Sequence, residues 1–321
     1  VTREISIGKY RALQRASNEQ SVFTVLAIDH TDSLRRVLNP DAPNDITDEE
    51  MVTIKQQVVA GLWNDISGVL LDPIYGAAQM IAYGLPASVG LLVELERADY
   101  NMNPLPMAVE IRNDWSVNKI KGMGSDGVKL FYYYDPDDDE LSKQQDSTIA
   151  RTVDACDQYD IPLYAEPIVL NANAENRRRK VIESAFLADQ LYVDILKLEF
   201  PLDVKASPEI EDWIAPCEEL SSKVIAPWVL LSAGVDFETF AKQVEVACQA
   251  GASGFIAGRA VWGDACQITD ESERSDWLQI TGRKRLQQLT NIANEYATPW
   301  TDIYSPTNVS TNWYSLYSEM K

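Results

Sequence analysis

The chain has 321 residues, 45% of them apolar, and a formal net charge of −21 from 28 basic and 49 acidic side chains. That length and apolar share allow one large core or two ordinary domains, and so negative a surface repels nucleic acid and anionic membrane alike, leaving solubility or a salty habitat as the plain reason for the acidity. The single histidine, His30, excludes a zinc site built on two or three histidines of this chain and leaves any serine–histidine chemistry to that one residue.

Along the chain, VTREISIGKY carries no apolar leader-like region, and no stretch approaches the roughly 18 apolar residues of a membrane helix. A first strand is predicted over 22–29 (VFTVLAID). The segment 35–46, RRVLNPDAPNDI, reads as a Pro/Asn/Asp-rich βα loop, long enough for a lid or rim. Thr47-Asp48-Glu49-Glu50 forms a capping box that opens the helical stretch MVTIKQQVVAGLW. Strands follow at 68–72 (GVLLD), 89–94 (VGLLVE) and 127–134 (GVKLFYYY), and LSKQQDSTIARTVDACDQYD is the crossover helix after the fourth. The fifth, sixth and seventh strands are predicted over 161–167, 193–200 and 227–234. Asp236 caps FETFAKQVEVACQA, which closes at Gly251, and GFIAGR (254–259) is the eighth strand.

Most of these runs are almost continuously apolar, as parallel strands covered on both faces should be. Eight strand–helix units in about 250 residues is the size of a (β/α)8 TIM barrel. A doubly wound sheet is the competing layout, but it usually has fewer strands and often a Gly-rich first turn, and no GxGxxG follows the first strand here. The expected class is therefore α/β, a single-domain barrel over 1–300. The aromatic tail 301–321, with Tyr304, Trp313, Tyr314 and Tyr317, is expected to pack on the barrel or on a dimer partner. Cys156, Cys217, Cys248 and Cys266 form no CxxC pair, which suits buried free thiols in a reducing cytoplasm.

Strand parity decides which side chains face the barrel axis. In VDILKLEF, Leu196, Leu198 and Phe200 form the apolar set that belongs against the helices, so Ile195, Lys197 and Glu199 point inward. The same reading turns Lys129 inward from GVKLFYYY, and Tyr164 and Glu166 inward from IPLYAEP. Asp29, Asp72, Glu94 and Arg259 end their strands at the C-terminal rim, where barrel enzymes keep their sites. The plain alternative is a buried ion-pair network, with Lys129 and Lys197 neutralised by Asp29, Glu166 and Glu199. Two lysines and several carboxylates converging on one axis favour a site.

A nucleophilic lysine must be neutral, which means bringing its pKa from near 10.4 to about 7–8. Burial and a second ammonium nearby both work in that direction, so Lys129 is expected to assist Lys197, with Glu166 shuttling protons. After the seventh and eighth strands, Ser232-Ala233-Gly234 and Gly258-Arg259 offer backbone amides and a guanidinium to a phosphate. As isolated pieces these are merely tight turns. As a pair at those two strands they indicate an anion site.

LLDPIYG, DWSVNKIKGMGSDGVKLFYYYDPDDDE, VDILKLEFP, LLSAGV and AGRAVW resemble the class I tagatose-1,6-bisphosphate aldolases, in the same order from about Phe23 to about Trp300. The related sulfofructose-phosphate aldolases share the pattern. The resemblance implies a (β/α)8 barrel that cleaves a ketose phosphate to dihydroxyacetone phosphate and an aldehyde, without metal or cofactor, in a homodimer. It places the Schiff-base lysine on Lys197, the acid/base glutamate on Glu166, the second active-site lysine on Lys129 and the first-strand aspartate on Asp29. The phosphate positions fall on Ser232, Gly234 and Arg259, beside Ala233 and Gly258. Where the family reads Asp-Gln-Arg after the first strand, this chain reads Asp29-His30-Thr31. His30 and Thr31 thus stand where the family faces the distal end of its substrate, so the aldehyde half is left open. Asp-His occurs there in the archaeal-type class I fructose-bisphosphate aldolases, a more distant resemblance.

Two other functions compete. A Mg2+-dependent barrel enzyme would use Glu94, Glu166 and Glu199 as oxygen ligands, although an inward lysine beside the ion would be repelled. A silent binding barrel has no need to bury Lys197, Lys129 and Glu166 together. His30 is either a proton-transfer partner of Asp29 or a satisfied rim residue. Arg35 or Arg36 is the candidate replacement for the missing distal cation, and Tyr133 a candidate substrate contact.

Overall fold

The structure, a computed structural model, describes residues 2–97 and 108–317. A short strand, β1 (Arg3–Ile5), and helix α1 (Ile7–Ala16) precede the first long apolar run. The eight apolar runs then become β2 (Phe23–Ile28), β3 (Gly68–Leu71), β4 (Gly90–Glu94), β5 (Gly127–Tyr134), β6 (Leu163–Val169), β7 (Ile195–Leu198), β8 (Trp228–Leu231) and β9 (Gly254–Ala257). Buried strands must satisfy their backbone donors and acceptors on both edges. Closing the parallel sheet, with β9 paired to β2, does so for every strand.

Helices cover the outer face: α2 (Asp32–Leu38), α3 (Asp48–Leu62), α4 (Ala77–Tyr83), α5 (Val117–Gly122), α6 (Asp139–Gln158), α7 (Arg177–Gln190), α8 (Ile214–Lys223), α9 (Phe237–Gln249), α10 (Arg259–Trp262), α11 (Glu271–Trp277) and α12 (Arg283–Tyr296). The capping box of α3 is complete, with Thr47 and Glu50 satisfying each other's backbone N–H. Asp236 accepts from Thr239 N to start α9. Among the described residues no helix is long and apolar enough to cross a membrane.

The segment 35–46 is less of a loop than its composition suggests. Arg35–Leu38 belong to α2, and Pro43–Asp45 form a 3-10 turn. Leu34 is fully buried, and Arg35 is tied down by Asp48 (2.6 Å) and Tyr75 Oη (3.0 Å). These anchors supply what the local sequence lacked.

Two apolar cores follow from the strand alternation. Leu196, Leu198 and Phe200 join Val128, Leu130 and Tyr132 in the layer between barrel and helices. Ile195, Tyr164, Leu92, Val25 and Val229 fill the inside, where Leu13, Trp300 and Tyr304 close the N-terminal end. A further strand, β10 (Tyr304–Pro306), pairs with β1, and Tyr304 Oη donates to Asp194 O at 2.8 Å. Tyr314 is exposed, and residues 318–321 of the tail lie outside the described residues. With its lower end packed, the barrel leaves its upper, C-terminal end to the polar residues.

Candidate active site

The register of the barrel gathers the polar strand ends. Glu94 is the ladder partner of Lys129, and Lys129 that of Tyr164. Lys129 Nζ lies 2.9 Å from Asp29 Oδ2, 2.6 Å from Glu96 Oε1 and 3.1 Å from Glu166 Oε2. Lys197 Nζ donates to that same Glu166 oxygen at 2.9 Å. Both lysines and all three carboxylates are buried. Asp29, Lys129, Glu166 and Lys197, chosen by parity and rim position, are thus brought into one cluster.

Charge is unevenly distributed in it. Burial pushes the Lys129 ammonium down, but Asp29, Glu96 and Glu94 outweigh burial and hold it well above the usual lysine range. Burial pushes Asp29 up, yet Lys129, Lys197 and His30 together keep it far below the usual carboxylate range. Glu166 goes the other way. Its burial dominates over the attraction of Lys197, and Asp29 and Glu96 add repulsion, so its carboxyl is pushed up to about 8. Lys129 therefore acts as a fixed cation, Asp29 as a fixed anion, and Glu166 as the group able to exchange a proton near neutral pH.

Lys197 also lines a cavity of about 220 Å³ with His30, Glu199, Ser232, Ala233, Gly234, Gly258 and Arg259. Thr31 is not among its lining residues; its carbonyl begins α2 by accepting from Leu34 and Arg35 N. The β8–α9 loop turns sharply, with Ala233 at φ 46° and Gly234 at φ 78°. Consecutive left-handed residues are costly for a non-glycine and tend to persist where the backbone serves a site. A Cβ on Gly234 would stand 3.2 Å from Arg259 Nη2, so the absent side chain also lets the guanidinium lie over the loop. Gly258 likewise admits His30, whose Cε1 would be 3.2 Å from a Cβ there. His30 Nδ1 is 3.6 Å from Asp29 Oδ1, and its ring meets Trp262 edge-on. The Arg259 carbonyl accepts from Gly263 N, but its guanidinium makes no hydrogen bond or ion pair among the described residues. A guanidinium left over a backbone nest at the cavity wall is suited to an anion.

Some candidates are placed elsewhere. Asp72 pairs with Lys55 and accepts from Ile74 and Tyr75 N, so it holds the β3 end rather than facing the cavity. Glu94, Glu166 and Glu199 do not form one cluster: Glu94 pairs with Arg112 (3.0 Å), Glu199 with Arg177 (3.0 Å), and Glu166 with the two lysines. Among the described residues no group of three such side chains is arranged to hold a metal ion. Tyr133 packs on Phe131 with ring centroids 4.9 Å apart.

Glu96, Lys55, Arg112 and Arg177 escaped the sequence reading. Glu96 was within reach of it, since it continues the inward alternation of Leu92 and Glu94. Lys55 sits on the buried stripe of α3, between Ile54 and Val58, and reaches Ile28 O and His30 O at 2.6 and 2.8 Å. A lysine on an apolar stripe was a readable signal. The partners of Arg112 and Arg177 depended on loop folding and had none.

A model of the DeoC/LacD family of aldolases matches residues 23–264. The chain belongs to that family. It is a lyase, an aldolase on a closed eight-stranded parallel barrel. Its relatives include the tagatose 1,6-diphosphate aldolase of Lactococcus lactis subsp. lactis, 29% identical over 323 residues, which cover 92% of this chain and 98% of the relative. The protein of the same name from Staphylococcus aureus (strain JH9) is 29% identical over 324 residues, covering 91% and 97%. Among solved structures, an archaeal fructose 1,6-bisphosphate aldolase superposes with a TM-score of 0.61 at 19% identity, covering 89% of this aldolase and 99% of that chain. The fructose-bisphosphate aldolase of Plasmodium falciparum reaches a TM-score of 0.72 at 13% identity, covering 92% and 98%. These structural likenesses bear on the fold.

Proposed function

We propose that this aldolase works through a Schiff base on Lys197 and cleaves a phosphorylated ketose, of the tagatose 1,6-bisphosphate kind, to dihydroxyacetone phosphate and an aldehyde. The supporting observation is the placement of Lys197 Nζ between two things: a buried carboxyl at 2.9 Å that is pushed up to about 8, and a cavity whose wall carries the uncommitted Arg259. The relatives named for tagatose 1,6-diphosphate cleavage support the substrate class. In this reading Lys197 gives its proton to Glu166 and attacks the ketone carbon. Glu166 returns a proton to the carbinolamine oxygen, which leaves as water. The iminium then draws in the electrons of the breaking carbon–carbon bond while the hydroxyl of the leaving aldehyde gives up its proton to the Glu166 carboxylate, leaving an enamine on Lys197. Lys129 and Asp29 hold Glu166 and Lys197 in place with fixed charges, and Ser232, Ala233, Gly234, Gly258 and Arg259 take the phosphate. His30, which lines the cavity, is assigned to the side of the departing aldehyde, whereas Thr31 lies outside that lining and takes no part. The test is borohydride reduction with dihydroxyacetone phosphate. The expected result is one reduced triose-phosphate adduct, on Lys197, and an active enzyme that gains no mass there refutes the assignment.

A second substrate, a ketose 1-phosphate with a different distal group such as 6-deoxy-6-sulfofructose 1-phosphate, is favoured by one observation. Arg35 is spent on Asp48 and Tyr75, and so is not a free distal cation. Comparing kcat/KM over a panel of ketose phosphates separates the two.

Two outcomes follow from these roles. Arg259→Ala removes a charge-assisted phosphate contact and is expected to raise KM for the ketose phosphate by roughly 10- to 100-fold, with little change in Tm. An unchanged KM would take Arg259 out of the site. For Glu166, the proton needed to release water is lost as pH rises through about 8, so kcat/KM is expected to fall above that pH. Glu166→Gln should remove this limb and lower kcat by roughly 10²- to 10⁴-fold. The four cysteines are all free and buried, which supports a reducing, cytoplasmic setting.

A further inference from the structure

Glu199 is not used in the steps above, yet it faces the same cavity as Lys197. It lies two residues further along the chain on the inward face, beyond the end of β7, while Leu198 and Phe200 pack outward. A carboxylate is a poor wall for a cavity that takes a phosphate, so its presence calls for a reason. Its position is fixed from two sides. Val169 N donates to Oε2 at 2.9 Å, and Arg177 Nη2 donates to Oε1 at 3.0 Å. Arg177 is itself pinned, donating through Nε to Phe200 O at 3.1 Å. The pair neutralises the charge without consuming the acceptor capacity: a carboxylate has about four lone-pair directions, and the backbone and Arg177 use one on each oxygen. The residue is 7% exposed and lines two hollows, one beside Arg177 and the other the Lys197 cavity, from which a remaining lone pair can be met.

We propose that Glu199 is a specificity-determining residue that accepts a hydrogen bond from the hydroxyl on the carbon next to the ketone, on the side away from the phosphate, and that Arg177 is its positioning residue. The cavity then reads as an ordered set of partners: Arg259 and the Ala233–Gly234 turn for the phosphate, the Lys197 amine for the carbonyl, and the Glu199 carboxylate for the adjacent hydroxyl. The substrate class is narrowed to ketose phosphates with a free hydroxyl at that carbon, and deoxy analogues are disfavoured because they leave a desolvated carboxylate lone pair unmet. The inference rests on the Schiff-base reading of Lys197.

The test compares two three-carbon ketones, dihydroxyacetone phosphate and hydroxyacetone phosphate, which lacks the hydroxyl in question. Each is titrated against borohydride trapping on Lys197, read by mass. The wild-type protein is expected to favour dihydroxyacetone phosphate by roughly 10- to 100-fold, the worth of a hydrogen bond to a charged group. Glu199→Gln keeps the volume and is expected to bring the preference to within about threefold. Arg177→Met is expected to shrink the same ratio and Arg177→Lys to restore part of it, a pattern that loss of packing alone does not produce. Trapping in Glu199→Gln with the wild-type preference intact overturns the inference and leaves the Lys197 reading standing. Absence of any adduct from the wild-type protein with either ketone overturns both.

Discussion

Replacing Lys197 by methionine is expected to lower kcat by about 10⁴-fold or more and to abolish borohydride trapping, with no loss of Tm. The size of the effect follows from the proposed role of Lys197 as the group that bonds covalently to substrate; removing a nucleophile leaves only binding and electrostatic contributions. The retained stability has a separate cause. Lys197 is buried, and its hydrogen-bond partner Glu166 keeps Lys129 at 3.1 Å when the amine is gone. Glu166 is also pushed up to about 8, chiefly by burial, so near neutral pH it can hold a proton instead of standing as a bare charge. Methionine fills most of the volume, and a carboxyl that keeps a second cation and can take up a proton is not left as the uncompensated buried charge that makes removal of one partner costly. Steady-state assay, trapping and thermal melting check the three parts. A variant that keeps more than about one hundredth of the activity would show that another group carries the chemistry.

Lys129→Met should behave in the opposite way and cost stability as well as activity. Lys129 is the shared cation of Asp29, Glu96 and Glu166. Its removal leaves carboxylates buried without their partner, a change that costs about 3–5 kcal/mol, or a Tm lower by roughly 5–10 °C in a chain of this size. The pH dependence distinguishes this from simple loss of packing. In the wild-type protein burial pushes Asp29 up, but Lys129 leads the cations that overcome it and hold the folded pKa below the unfolded value. Asp29 therefore contributes stability that is present above the unfolded pKa and is lost only in acid. Without Lys129 burial is opposed at Asp29 by Lys197 and His30 alone, and the folded pKa of the carboxyls is expected to move above the unfolded value. Their contribution is then fullest below about pH 4 and declines as pH rises through the raised pKa. The Tm difference between variant and wild type is thus expected to be wider at pH 8 than at pH 5. A difference independent of pH would mean that Lys129 contributes volume alone.

The residues forming this cluster differ in how far they could be read in advance. Lys197, Lys129 and Glu166 were legible because a strand inside a barrel alternates between two environments, and a charged residue on the inward side stands out against apolar neighbours. Glu96 follows the same rule one alternation past Glu94, but it lies beyond the apolar run and so fell outside the predicted strand. Asp72 satisfied the rim rule and still proved structural, because the buried Lys55 of α3 takes its carboxylate. Position at a strand end puts a side chain near the mouth of the barrel; its neighbours decide whether it turns to the cavity or to the helix layer. The segment 35–46 shows the reverse case. Its Pro, Asn and Asp content is that of a loop, yet the burial of Leu34 and the anchoring of Arg35 make Asp32–Leu38 helical.

The sequence by itself determined the eight-stranded barrel, the inward side of each strand and the identity of the two buried lysines, because these follow from local periodicity and from the cost of hiding a charge. Tertiary structure alone decided that both lysines share one oxygen of Glu166, that Glu199 is held by Arg177, and that the Arg259 guanidinium lies over Gly234 with no partner of its own among the described residues. Those are distances between residues far apart along the chain. They are set by the register of neighbouring strands and the paths of the loops, and a single sequence records neither.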